Sequence, residues 1–404
     1  MQKTIKNILY SKVYGPLIFI LFFSLAPYFI TSLISDHKSK FFLYYSITLI
    51  ILIIIFELLF NFIFRLLNGQ GYKKISKIPF KAMHIQPHPY LPFISKKNFE
   101  TFKSEPARYP LHDKKFILKK LKLNNLGFSN GVDGGRDVTL PKPSGLYRIN
   151  CLGASTTANY ISTENQNFSY PQELEKKLSE KLNKKLEVNN CGQGGYSSAD
   201  LLIRFILQIN YTQPDAVIIY HGYNDIKSYL TPNFETDYSH STKNLSEQYW
   251  KFALASKLPN LPINFYNFFV NKWLPSNIRW GLMDYIRKGK VDMKIDFNNG
   301  IKIYKQNIEN IIHICKANNI KVYLSTFCHF LHQEIKGESL NILYDKIVKK
   351  ENEAMKEIAE KFQIKIVDTA DLIPKEEKYF VDSTHFTPEG MKFLANSIST
   401  LFDK

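Results

Sequence analysis

The chain has 404 residues, with 45% hydrophobic and 22% charged residues, and a formal net charge of +17. That content supports a sizeable core and excludes a disordered chain. The excess positive charge is scattered lysine, with no helix-turn-helix, zinc-finger or RNP pattern, so nucleic acid is not an expected partner and an anionic membrane surface fits better.

In chain order, the first predicted element is a pair of apolar runs, Tyr14 to Ser35 and Phe41 to Phe64. Each is long enough to cross a bilayer core, which takes roughly 20 helical residues. The first is too long for a simple signal peptide and lacks its small-residue cleavage site. Asp36-His37-Lys38-Ser39-Lys40 separates them, which predicts a tight transmembrane hairpin over residues 1–65. Glu57 lies within the second run and is read as facing its partner helix. Lys3, Lys6 and Lys12 precede the hairpin, and Arg65, Lys73, Lys74, Lys77 and Lys81 follow it. The positive-inside rule then puts the rest of the chain on the cytoplasmic side.

Residues 66–145 show weak periodicity and many Pro and Lys residues, and read as an extended lead-in. From Tyr147 strands alternate with helices. Strands are predicted at Tyr147–Leu152, Leu186–Asn190, Ala216–Tyr220, Ile320–Ser325 and Ile364–Val367. Helices are predicted at Tyr170–Lys184, Ser198–Gln208, Ile303–Ala317, Tyr344–Lys361 and Pro388–Phe402. This alternation predicts an α/β fold with a parallel sheet covered on both faces. Thr387 and Pro388 are a strong start signal for the last helix. Residues 227–297 interrupt the rhythm and hold all three tryptophans, Trp250, Trp273 and Trp280. This aromatic-rich insertion reads as a cap over a site, as a small core of its own, or as a segment resting on the membrane interface. Cys151, Cys191, Cys315 and Cys328 show no metal-ligand spacing, and no disulfide is inferred.

Ligands of open α/β sheets bind beyond the carboxyl ends of the strands. The residues just after each strand are therefore informative. After the first comes Gly153-Ala154-Ser155-Thr156-Thr157, and after the second Cys191-Gly192-Gln193-Gly194-Gly195-Tyr196-Ser197. His221-Gly222-Tyr223-Asn224-Asp225 comes after the third, and Asp382-Ser383-Thr384-His385 precedes the last helix. These supply every part that acyl transfer requires. Ser155 is the candidate nucleophile, His385 its base, and Asp382 the partner that holds the imidazole. The backbone N–H groups of Ser155 and Gly195 and the Asn224 amide are candidate oxyanion donors. Gly192 and Gly194 compete for the glycine role. His221 and His329 are read as structural histidines, and Asp225 as a brace for its turn. No cofactor or metal is called for.

These four segments resemble the ordered blocks of the SGNH (GDSL-like) hydrolase superfamily. Ser155, Gly195, Asn224 and Asp382–His385 match its nucleophile, oxyanion-glycine, GxND and DxxH positions. Asn125-Leu126-Gly127-Phe128 is similar to a lead-in of bacterial members. The nucleophile block reads Gly-Ala-Ser where the name-giving motif has Gly-Asp-Ser. The resemblance implies a three-layer α/β/α (flavodoxin-like) hydrolase domain over 146–404. It implies ester hydrolysis through an acyl-serine; a small O-acyl group on a carbohydrate or lipid is the substrate expected here, beyond what the resemblance implies. Two alternatives stand: an O-acyltransferase using the same serine, and a non-catalytic carbohydrate- or partner-binding module. Anchored members of the superfamily often work outside the cytoplasm, against the lysine count. Oligomeric state is not readable from the sequence.

Overall fold

In the computed structural model, the described residues are 25–34, 40–41, 43–52, 54–55, 84–86, 88–101, 107–109, 112–116, 121–131, 133–158, 162–163, 166–167, 169–231, 234–241, 297–331 and 338–403. The chain divides into two compact units. One is Met1–Met83 with Glu247–Asn277, and the other is His84–Ser246 with Ile278–Lys404.

In the first unit, Ala26–Ile34 is helical, as are residues 40–41, 43–52 and 54–55. The Tyr28 and Phe41 rings meet edge to face at 5.7 Å. Much apolar surface faces outward: Phe29, Leu33, Leu43, Ile50, Ile51 and Ile54 are all exposed. Among the described residues no helix is long and apolar enough to cross a membrane. The predicted spans 14–35 and 41–64 lie partly outside the described residues, and residues 232–233 and 242–296 of the predicted insertion lie wholly outside them.

The second unit is built on five strands. β1 (Tyr147–Gly153) and β3 (Ala216–Tyr220) are almost wholly buried. Such continuous burial is expected of central parallel strands, which are covered on both faces. β2 (Leu186–Asn190), β4 (Lys321–Ser325) and β5 (Ile366–Val367) complete a sheet of order β2-β1-β3-β4-β5. Every pairing is parallel. The helices are α1 (Tyr170–Leu182), α2 (Ser198–Arg204), α3 (Asn298–Ala317), α4 (Glu338–Phe362) and α5 (Pro388–Ser399). α1 packs on α5, whereas α3 packs on α2 and α4, giving two helical layers with the sheet between them. This is the predicted parallel α/β architecture.

The strand order places the site. The chain leaves β1 for β2 on one side and returns to β3 on the other. β1 and β3 therefore flank the switch point, where a crevice opens beyond their carboxyl ends. Ile149, Cys151 and Leu152 on β1, and Val217, Ile218 and Ile219 on β3, are fully buried in the core. Burying one large aliphatic side chain of this kind stabilises the fold by roughly 1.5–3 kcal/mol.

A polar ladder crosses the sheet. Asn130 Nδ2 donates to Asn189 Oδ1 (2.6 Å), Asn189 Nδ2 to Asn150 Oδ1 (2.9 Å), and Asn150 Nδ2 to Thr212 Oγ1 (2.7 Å). All four side chains are buried, and each bond offsets a desolvation cost. The segment read as a lead-in contributes to this unit. Ser95 Oγ donates to Gln193 Oε1 (2.7 Å), and the Tyr196 hydroxyl donates to the Phe93 carbonyl. Asn124 Oδ1 accepts from the N–H groups of Leu126 and Phe128 (both 2.9 Å), which shapes the Asn125–Phe128 turn.

Candidate active site

β1 ends at Gly153, and the next residues wind into a single helical turn, Ser155–Ala158. Thr157 N and Ala158 N donate to Ala154 O at 3.2 and 2.9 Å. A Cβ on Gly153 would run into Thr157 Oγ1 and the Tyr220 carbonyl, so only glycine lets β1 and β3 end this close together. Ala154, Thr156 and Thr157 are buried, while Ser155 is half-buried. The turn thus anchors three neighbours and presents one hydroxyl. Ala154, standing where the name-giving motif has Asp, fits its buried position.

Asp382 and His385 share one loop ahead of α5. His385 Nε2 lies 2.9 Å from Ser155 Oγ, and His385 Nδ1 lies 2.7 Å from Asp382 Oδ2. The other carboxylate oxygen, Oδ1, accepts from the backbone N–H groups of Thr384 (2.8 Å) and His385 (2.7 Å). Burial pushes the Asp382 carboxyl up. The hydrogen bond and charge of His385, and the two backbone donors, outweigh it and hold the carboxyl below its ordinary value. An ionised Asp382 keeps the proton on Nδ1, which leaves Nε2 as the acceptor for the Ser155 hydroxyl. This arrangement turns a serine hydroxyl into a nucleophile.

The loop is firmly held. Phe380 and Phe386, on either side of it, pack at 4.9 Å in the core. Val381 N donates to His385 O (2.8 Å), and Phe330 N to Ser383 O (2.8 Å). Thr387 caps α5, its Oγ1 accepting from Gly390 N at 3.2 Å.

The candidate oxyanion donors come from three segments that interlock. Gln193 N donates to Gly153 O (3.1 Å), and a Cβ on Gly192 would collide with the backbone of Ala158. Gly195 has φ +76°, a left-handed conformation suited to glycine. The N–H groups of Ser155 and Gly195 donate to no backbone acceptor among the described residues. The Asn224 side-chain amide donates one N–H to Tyr196 O (3.0 Å), which leaves its second for a ligand.

Tyr223, just before Asn224, has φ +72°. A left-handed backbone costs a bulky residue about 1–2 kcal/mol. Its ring stacks on His329 (5.7 Å) and Tyr344 (5.2 Å). Burial first, and the nearby Asp382 charge second, push its phenol up.

His221, His329 and Asp225 behave as structural residues. Asp225, fully buried, accepts from Ser198 N (2.9 Å), Ser198 Oγ (2.5 Å) and His221 Nε2 (3.0 Å), and so ties the turn to the start of α2. His329 Nδ1 is 3.3 Å from Asp345 Oδ1. That hydrogen bond is the main cause holding the Asp345 carboxyl down at about 2. Two supporting residues on α4, Glu351 and Asn352, are not among those the sequence singles out. Asn352 accepts from Phe327 N (2.6 Å) and donates to Phe327 O (2.9 Å), while Glu351 binds the Tyr223 turn. No local pattern marks them, because the contacts span long stretches of chain. All four cysteines are buried, with free thiols. No group of three or more His, Cys, Asp or Glu among the described residues could hold a metal ion.

Residues 151–393 match the family model of the GDSL-like lipase/acylhydrolase family. No curated protein matches the chain. Similar solved structures include the lipase/acylhydrolase of Enterococcus faecalis. It is 16% identical over 63% of this chain and 93% of that one, with a TM-score of 0.38. A GDSL-like lipase of Bacteroides thetaiotaomicron is 15% identical over 63% and 86%, with a TM-score of 0.36. A variant of an acetyl-xylooligosaccharide esterase from a Geobacillus is 14% identical over 62% and 91%, with a TM-score of 0.39. The family match carries the assignment: it covers more than half of the chain and spans the Ser155, Gly195, Asn224 and Asp382–His385 blocks, so the chain belongs to the GDSL-like lipase/acylhydrolase family and is an ester-hydrolysing enzyme.

Proposed function

We propose that this protein is a membrane-tethered serine esterase that removes a small O-linked acyl group, such as acetate, from a carbohydrate or lipid. The hydrogen-bonded chain Ser155–His385–Asp382 carries this reading. Ser155 Oγ attacks the ester carbonyl while His385 Nε2 takes its proton. The N–H groups of Ser155 and Gly195 and the Asn224 amide receive the oxyanion. The alcohol departs with the proton from His385, leaving an acyl-serine. Water then attacks that acyl group, with His385 again the base, and Ser155 regains its proton. Asp382 stabilises the imidazolium at both stages.

The tether rests on the two apolar runs and on the exposed apolar side chains of the described helical residues between 25 and 55. By its lysine and arginine count, the catalytic unit lies on the cytoplasmic side.

Hydrolysis of a short-chain aryl acetate by the detergent-solubilised protein, beside Ser155→Ala, tests the reaction. Turnover lost in the variant is the expected result, and equal turnover in both would sink the role of Ser155. Adding a sugar acceptor and analysing products separates hydrolysis from transfer: an acylated sugar in place of free acid would replace esterase by transferase. A C-terminal reporter fusion tests sidedness, and signal from a reporter that works only outside the cytoplasm would reverse it.

A further inference from the structure

The Asn224 turn depends on a backbone conformation that its own residues disfavour. Tyr223 sits at φ +72°, and a bulky side chain there needs support from outside. The support comes from α4. Tyr223 N donates to Glu351 Oε2 at 2.8 Å, across 128 residues of chain. Glu351 is fully buried, and its Oε1 is hydrogen-bonded to the Tyr229 hydroxyl at 3.0 Å. The turn is packed directly on this carboxyl. A Cβ on Gly222 would come within 3.3 Å of Glu351 Oε2 and 2.8 Å of Phe327 Cβ.

The backbone from Gly222 to Asn224 is therefore pinned on both sides. Glu351 holds the Tyr223 N–H, and Asn224 N donates to the Gly222 carbonyl at 2.9 Å. Asn224 leaves this fixed plane with its side chain against Tyr196 O. We propose that Glu351 is a positioning residue for ester hydrolysis: it fixes the Gly222–Tyr223 peptide so that Asn224 presents its amide to the oxyanion. This rests on Asn224 being an oxyanion donor.

Burial, and then the buried Asp225 carboxylate, push the Glu351 carboxyl up to about 8. Tyr229 and Tyr304 also face it, from the turn after β3 and from α3. Both of its oxygens accept hydrogen bonds, Oε2 from Tyr223 N and Oε1 from the Tyr229 hydroxyl. A glutamine keeps the carbonyl acceptor for Tyr223 N, and its NH2 can donate to the Tyr229 hydroxyl oxygen in place of the bond that Tyr229 now donates to Oε1.

The test uses the full-length protein in detergent and an aryl acetate. Active sites are titrated with a fluorophosphonate, so that kcat is read per competent site. Glu351→Leu should lower kcat at least about tenfold with KM changed less than about threefold. Glu351→Gln should recover at least about a third of wild-type kcat. In an Asn224→Ala background, Glu351→Leu should cost less than about threefold more, because it acts through Asn224. Wild-type kcat per site in Glu351→Leu, or costs that multiply, would overturn the proposal. Glu351→Met takes its place if Glu351→Leu does not fold, and a loss beyond about tenfold in Glu351→Gln contradicts the proposal by itself. Unchanged kcat in Asn224→Ala would instead remove the oxyanion reading. A loss there with none in Glu351→Leu would remove only the role of Glu351.

Discussion

The two sides of the site are held in opposite ways. The Asp382–His385 pairing is local, although Phe330 N also ties its loop by donating to Ser383 O. Its carboxylate binds the imidazole and backbone three residues away, and its flanking Phe380 and Phe386 pair with each other. The Asn224 turn is held from afar, by Glu351 and by Tyr196 O, while Phe327 packs against Gly222. A reacting pair can thus be encoded in four residues, whereas the donor that receives the charge depends on the assembled fold.

The greatest loss is expected on the local side. Asp382→Asn should keep the fold but present the wrong histidine tautomer, and lower kcat about 10⁴-fold. Steady-state turnover beside a thermal melt checks both parts. A smaller loss would mean that Thr384 Oγ1, 3.2 Å from His385 Nδ1, can replace the carboxylate.

On the distant side, Asn224→Ala removes one oxyanion donor and should lower kcat about 10²–10³-fold, with little change in KM. A rise in KM alone would make Asn224 a substrate-binding residue.

Glu351 provides a stability test. Its carboxyl ionises near 4.5 when unfolded and at about 8 when folded. Between these values the folded state holds a proton that the unfolded state has lost, so stability falls as pH rises, and levels off above about 8. Glu351→Gln should flatten that slope, by more than about 1 kcal/mol across the window. Urea unfolding at a series of pH values reads this, and an unchanged slope would show that Glu351 is ionised in the native protein.

Thr387→Ala should have the mildest effect. It removes the cap of α5 and should cost roughly 0.5–1 kcal/mol in a thermal melt. No change would mean that neither bond of Thr387 Oγ1, from Gly390 N or to Lys378 O, adds to the stability of α5.

Much of the fold is legible in the sequence. β2 and β3 span the predicted residues without a shift; β3 is an apolar run bounded by turn residues, and β2 runs into the Gly-rich turn after Cys191. Helix starts are less clear. α3 begins at Asn298 rather than Ile303, since its first turn has little apolar periodicity and its Gly300 packs on Tyr229. α2 passes into a π-helical stretch, Phe205–Ile209, that periodicity cannot distinguish from α-helix. Within the site, Ser155, Asp382 and His385 can be read because each motif is short and comes after a strand or before a helix. Residue type alone does not separate Gly192, Gly194 and Gly195; the resemblance picks Gly195, which alone of the three has a positive φ. Glu351 is invisible there, because a carboxylate on an amphipathic helix reads as solvent-facing until the fold places it against Tyr223.

The mechanism stands on Ser155 being the nucleophile that His385 activates. Labelling with a fluorophosphonate, followed by peptide mass spectrometry, reads out that atom itself. One adduct is expected, on Ser155, absent in Ser155→Ala and formed far more slowly in His385→Ala. An adduct on another residue, or equal labelling of Ser155→Ala, would contradict it.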